Sequence, residues 1–222
     1  MGYLIYHPKR RVSNFGKFVV YHDSTTGNQD PYIWNQPFLH TYCHITQMSP
    51  EIGHVNFWVS GDTFPDFTQL FCDLVFVVQE KVYWQERNNI DRYDPIVESE
   101  EAFNDHYQWA EYQHQLRRRR RFTLKANPLQ SFQPQTSENE LLDVVPALVQ
   151  MDLTLETLHK GMRAGTGSRP FLLDDDVTNC LYSWLQRSAT IKLGGEVLSS
   201  IRKGCNELAS PVPRTTLSLG AC

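Results

Sequence analysis

No apolar run in this chain approaches the ~18 residues that a membrane-spanning helix needs, and no apolar leader segment stands at its start. Membrane association is therefore not expected. Five cysteines, Cys43, Cys72, Cys180, Cys205 and Cys222, are scattered without a CxxC pair, and their number is odd. That pattern argues against a disulfide framework and against metal-binding cysteine pairs. The expectation is a soluble, reduced, cytoplasmic protein. A complete phosphate loop is missing as well: Arg163 to Pro170 (RAGTGSRP) is glycine-rich but lacks a GK[ST] ending, so it reads as a surface loop. The net charge of −4 is small, but it hides a separation. Arg117, Arg118, Arg119, Arg120 and Arg121 are consecutive, and without them the rest of the chain is more acidic by five charges. An acidic body with one arginine cluster excludes general polyanion coating and leaves room for one local phosphate or carboxylate contact.

What the chain does have is a dense apolar stretch from His54 to Trp84. Val55, Phe57 and Val59 alternate with Asn56, Trp58 and Ser60, the period of a half-buried strand, and Leu74 to Val78 is a β-branched and aromatic run of buried-strand length. Between them, Ser60-Gly61-Asp62 and Phe64-Pro65-Asp66 are turn chemistry. This pair is expected at the centre of an α+β fold with a mixed or barrel-like sheet in its N-terminal part and a helical C-terminal half. Composition divides the chain into a β-rich region 1–97, a helical region 98–210 packed on it and a loose tail 211–222.

Around that centre, residues 3–6 and 17–22 are short strand candidates flanking a basic turn, positioned to form a hairpin. Residues 23–37 form a loop carrying Tyr32 and Trp34. Residues 38–46 alternate as a strand with His40 and His44 on one face, too far apart along the strand for one metal ion. Residues 85–97 are a connection. The spacing predicts a helix over 99–118, with acids early and arginines late, the order a helix dipole favours. Phe122 to Ala126 reads as a strand. Ser137 and Glu140 form a capping box that opens a short helix interrupted at Pro146. A second short helix over 152–160 stops at Gly161. Asp174, Asp175 and Asp176 precede a helical stripe of Val177, Cys180, Leu181, Trp184 and Leu185, so they read as an N-cap rather than a metal cluster. A last helix spans 196–203.

Three groups of residues carry possible chemistry. The arginines 117–121 would grip phosphates while Trp34, Trp58 and Trp109 offer stacking surfaces for bases; His22, Asp23, His44 and Asp62 would be the polar, candidate catalytic groups around a base. A second group, Asp66, Asp73 and Lys81, resembles the acid and lysine set of Mg²⁺-dependent nucleases, although Gln79 stands where the middle acid belongs. No metal or other cofactor is expected outside that alternative.

The third is a resemblance. Phe18 to Asp23, the loop DPYIWNQPF, Tyr42 to Thr46, Phe57 to Asp62 and Leu74 to Glu80 together resemble the nucleotide-modification-associated domains of phage and bacterial loci. The likeness covers residues 17–94 and leaves 95–222 without a counterpart. It implies action on modified DNA bases and would carry Asp23, Cys43, Trp58 and Asp62. The leading expectation is thus a nucleic-acid or modified-nucleotide binding protein linked to DNA modification or phage defence. The alternatives are the nuclease and a non-enzymatic interaction or scaffold protein whose acidic body meets a protein partner.

Overall fold

The computed structural model describes residues 1–7, 11–22, 40–41, 50–61, 63–83, 122–165 and 167–194. Its centre is the expected strand pair. β5 (Val55–Ser60) and β6 (Phe71–Tyr83) run antiparallel, with Val55 opposite Val77 and Ser60 opposite Phe71. The alternation in β5 does not mark a wet face, because all six of its residues are buried and Asn56 and Trp58 are fully so. The reason is its second neighbour. β1 (Gly2–His7) lies parallel to β5 along its whole length, from Gly2 opposite Val55 to His7 opposite Ser60. A strand flanked on both edges within a covered sheet is buried on both faces.

β1 is joined on its other edge by β12 (Phe171–Leu173), so stretches from opposite ends of the sequence meet in one sheet. The hairpin expected between residues 3–6 and 17–22 is not formed. β3 (Phe18–His22) pairs instead with β2 (Arg11–Phe15) across the Gly16–Lys17 turn, a two-residue hairpin of minimal loop length. Two glutamines dock this hairpin on the sheet. Gln133 exchanges two hydrogen bonds with the Tyr21 backbone, Tyr21 N–H to Oε1 at 2.9 Å and Nε2–H to the carbonyl at 2.8 Å, and Gln135 Nε2 donates to the Val19 carbonyl at 2.7 Å. The side-chain amides thus do what a neighbouring strand would.

The far edge of β6 is shared. β7 (Phe122–Ala126) covers its second half, and β8 (Phe132–Gln135) and β9 (Leu142–Asp143) meet its first half. Register shifts leave Asp73 and Gln79 as extra residues on β6, two bulges that bend this long strand. With β4 (His40–Thr41) on β7 and β13 (Ile191–Gly194) on β8, the sheet is mixed and nine-stranded. Its path runs β12-β1-β5-β6-β7-β4 and among the described residues stays open at both ends, so it is not closed into a barrel.

Among the described residues the helices come late in the chain, as expected, and alternate there with strands. α1 (Val145–Gln150) carries Pro146 in its first turn instead of being interrupted there, since proline fits a first helical turn whose N–H groups lack partners anyway. The capping box at Ser137 opens no helix. Thr136 Oγ1 accepts from the N–H groups of Glu138 and Glu140, both at 3.2 Å, and Asn139 sits at φ 63°, which closes a turn returning to the Gln135–Leu141 bridge. α2 (Leu155–Met162) starts three residues later than its sequence suggests, because Asp152 adopts φ 64° and Thr154 takes the N-cap. Gly161 lies inside α2 rather than ending it: a Cβ there would stand 2.2 Å from the Phe171 ring, so only glycine lets helix and β12 approach. Asp174 caps α3 (Asp175–Ser188) as expected, accepting from Val177 N–H at 2.8 Å.

Leu158 and Met162 of α2 and Leu181 and Leu185 of α3 pack with Leu4, Phe57, Val75 and Val77 on one face of the sheet. Each such side chain contributes on the order of 1.5–3 kcal/mol by leaving water. The helices expected over 99–118 and 196–203, the loop over 23–37 and the tail from 211 lie outside the described residues, as does the strand over 38–46 except for His40 and Thr41.

Candidate functional site

The helical period of α2 sorts its residues into two faces. Leu158 and Met162 point into the core, whereas Glu156, Lys160 and Arg163 are exposed and His159 is partly so. Residues 156, 159 and 160 follow a three-and-four spacing and therefore share a side, which Arg163 extends from the C-cap position. That side forms one wall of an open depression of about 660 Å³, completed by Pro65 and Asp66 from the β5–β6 connection and by Gly165. The last belongs to the turn between β10 (Arg163–Ala164) and β11 (Gly167–Ser168).

Both walls are firmly seated. Phe67, next to Asp66, is fully buried, stacks on Tyr6 at 6.1 Å and meets the His159 ring edge-on at 4.5 Å. His159 Nε2 lies 2.7 Å from the Phe67 carbonyl. A carbonyl only accepts, so Nε2 carries the proton and Nδ1 is the acceptor of the neutral ring. This bond ties α2 to the opposite wall. At the far end of α2, Arg169 donates from Nε to the Gly161 carbonyl and from its backbone N–H to the Met162 carbonyl, both at 2.7 Å. Two of the helix's open C-terminal acceptors are thereby filled, and the far end of the glycine-rich segment is pinned to α2 at Arg169.

The rim carries two acids, Asp66 and Glu156, and two bases, Lys160 and Arg163. No ion pair joins them among the described residues. Such a rim can hold a partner that brings charges of both signs. Other reactive groups nearby serve the chain itself. Asp143 accepts from the N–H groups of Leu70 at 3.1 Å and Val145 at 3.0 Å, pinning the end of the β5–β6 connection to the start of α1. Cys72 is fully buried, and burial together with the neighbouring Asp73 charge pushes its thiol well above the usual range, far from thiolate reactivity.

Among the described residues singled out as candidate site residues from sequence, Asp66 alone is at this depression. Asp73 is 2 % exposed at the first bulge of β6, and Lys81 lies eight residues further along the same strand, about 25 Å away at the usual strand rise. Lys81 is held there by the Pro50 carbonyl at 3.2 Å and the Glu51 carboxylate at 3.7 Å. The nuclease set is therefore not brought together. Trp58 is fully buried in the sheet and offers no stacking surface. Of His22, the last residue of β3, only the backbone is described; Asp23, Trp34, Cys43, His44, Asp62, Trp109 and Arg117 to Arg121 lie outside the described residues. Sequence reasoning missed Glu156, His159, Lys160 and Arg163. The signal was present: Leu155, Leu158 and Met162 mark the inner face of a short helix, and these four polar residues share the other.

Among the described residues no helix is long and apolar enough to cross a membrane, and no three His, Cys, Asp or Glu side chains gather as metal ligands. Comparison with protein-family models, with curated proteins and with solved structures gives no match. Nucleotide binding, nucleic-acid binding, DNA modification and phage defence, expected from the arginines, tryptophans and short motifs, are accordingly not carried forward: no relative supports them, and the one described tryptophan among them is sealed in the core.

Proposed function

We propose that this is a non-enzymatic interaction protein that grips a protein segment bearing both acidic and basic side chains in the depression between α2 and the β5–β6 connection. The observation that carries the reading is the pairing of a four-charge rim with two walls that are already locked. Phe67 and Met162 anchor the walls in the core, and the His159–Phe67 bond joins them. A surface built before its partner arrives loses little entropy on binding. Its volume falls within the roughly 300–1,000 Å³ of ordinary ligand sites, room for a few side chains of a partner segment. The partner's lysine or arginine would face Asp66 and Glu156, and its acid would face Lys160 and Arg163.

The test is a selection of random peptides on the intact chain, repeated on a Lys160→Glu, Arg163→Glu double variant. Mixed-charge peptides that bind the wild type at least about tenfold more tightly than the variant support the reading. Selected peptides that ignore the reversal, or a selection that enriches nothing, contradict it.

A further inference from the structure

The opposite end of β5 carries a second built-in device. Residues 51–54 form a turn with Gly53 at φ 86°, a conformation that only glycine adopts easily. The turn is closed reciprocally: His54 N–H donates to the Glu51 carbonyl at 3.1 Å, and Glu51 N–H donates to His54 Nδ1 at 3.1 Å. It is continuous with the central ladder, since Gly53 N–H donates to the Val78 carbonyl at 2.8 Å and Val78 N–H to the His54 carbonyl at 2.9 Å.

An N–H group can only donate, so Nδ1 must keep its lone pair for the second of these bonds to exist. We propose that His54 is a pH-sensitive latch: as a neutral ring it holds the turn that starts β5, and on taking a proton from solvent at Nδ1 it loses the Glu51 bond and releases the turn. Two N–H groups would then face each other across the same gap.

Charged groups of both signs surround the ring. Just before β1 stands the Met1 ammonium, and β1 itself contributes the Tyr3 ring, whose centroid lies 6.4 Å from that of His54. The turn contributes Glu51, β6 contributes Lys81 and α3 contributes Asp175. Both acids are already matched, Glu51 with Lys81 at 3.7 Å and Asp175 with the Met1 ammonium. A charged imidazole would be a third cation in a cluster of two anions. Partial burial, foremost, and the Met1 ammonium hold the His54 pKa below its ordinary 6.5, against the smaller upward pull of Glu51 and Asp175.

The sign follows. With the folded pKa below the unfolded one, the unfolded chain binds the proton more readily. The stability this ring contributes is complete above pH 6.5 and is lost as pH falls from there through the folded pKa. Ile52, at the tip of the turn and 70 % exposed, is a convenient reporter.

The experiment follows the Glu51 amide and Ile52 methyl resonances from pH 8 to about pH 4.5 in the intact chain and in His54→Asn, whose side-chain oxygen accepts as Nδ1 does but does not titrate in this range. The expected result is a Glu51 shift in the wild type with a midpoint below 6.5, accompanied by Ile52, and no such transition in the variant. A midpoint at or above 6.5, or a Glu51 signal that does not move with the ring, overturns the proposal. Should the variant not fold, the wild-type midpoint, read beside the ring's own proton resonances, decides the matter alone.

Discussion

β5 is held at its two ends by histidines used in opposite directions. At its start, His54 accepts a hydrogen bond from a backbone N–H; beyond its end, His159 donates one to a backbone carbonyl. The residue type is the same, yet only the first bond is destroyed by a proton, because a protonated imidazole remains a donor at both nitrogens and is an acceptor at neither. The comparison teaches that the direction of a hydrogen bond, more than the identity of the side chain, decides whether a piece of structure responds to pH. It also separates roles along one strand. In the roles proposed above, the end beside the depression is fixed for recognition, and the other end is conditional.

The comparison breaks most severely at Phe67. Phe67→Ala removes a fully buried ring that touches both Tyr6 and His159, and a loss of about 3–5 kcal/mol is expected in urea unfolding at any pH near neutral. His159→Ala leaves the Phe67 carbonyl without its donor and is expected to cost about 1–3 kcal/mol in urea unfolding at pH 8. No measurable cost would mean that this bond does not tie α2 to the β5–β6 connection. The smallest effect is expected from His54→Asn, which should be close to neutral in urea midpoint at pH 8 and should become relatively stabilising below pH 6.5.

How much of this was legible in the sequence depended on the range of the contacts. The β5–β6 pair, β7 and the Asp174 cap are written in adjacent residues, in period, turn chemistry and a capping carboxylate, and local patterns of that kind survive folding. The parallel partnership of β1 with β5 and the closure by β12 are not, since nothing near residue 4 specifies that Leu4 will sit opposite both Phe57 and Phe171. Pro146 and Gly161 were misread for a related reason. Each breaks a helix as an isolated residue, but proline at the first turn starts one and glycine beneath Phe171 permits one to pack. The sequence showed the acids of the central hairpin as one site, whereas β6 carries Asp73 and Lys81 to distant points of a single strand. His159 was silent because its partner, the Phe67 carbonyl, lies 92 residues away.

The most direct test of the recognition surface is to map the amide shifts of the isotopically labelled intact chain on addition of a selected mixed-charge peptide. The account predicts saturable changes concentrated at Asp66, Glu156, His159, Lys160, Arg163 and Gly165, suppressed by raised salt. Changes that leave these residues untouched and gather elsewhere on the chain would contradict it.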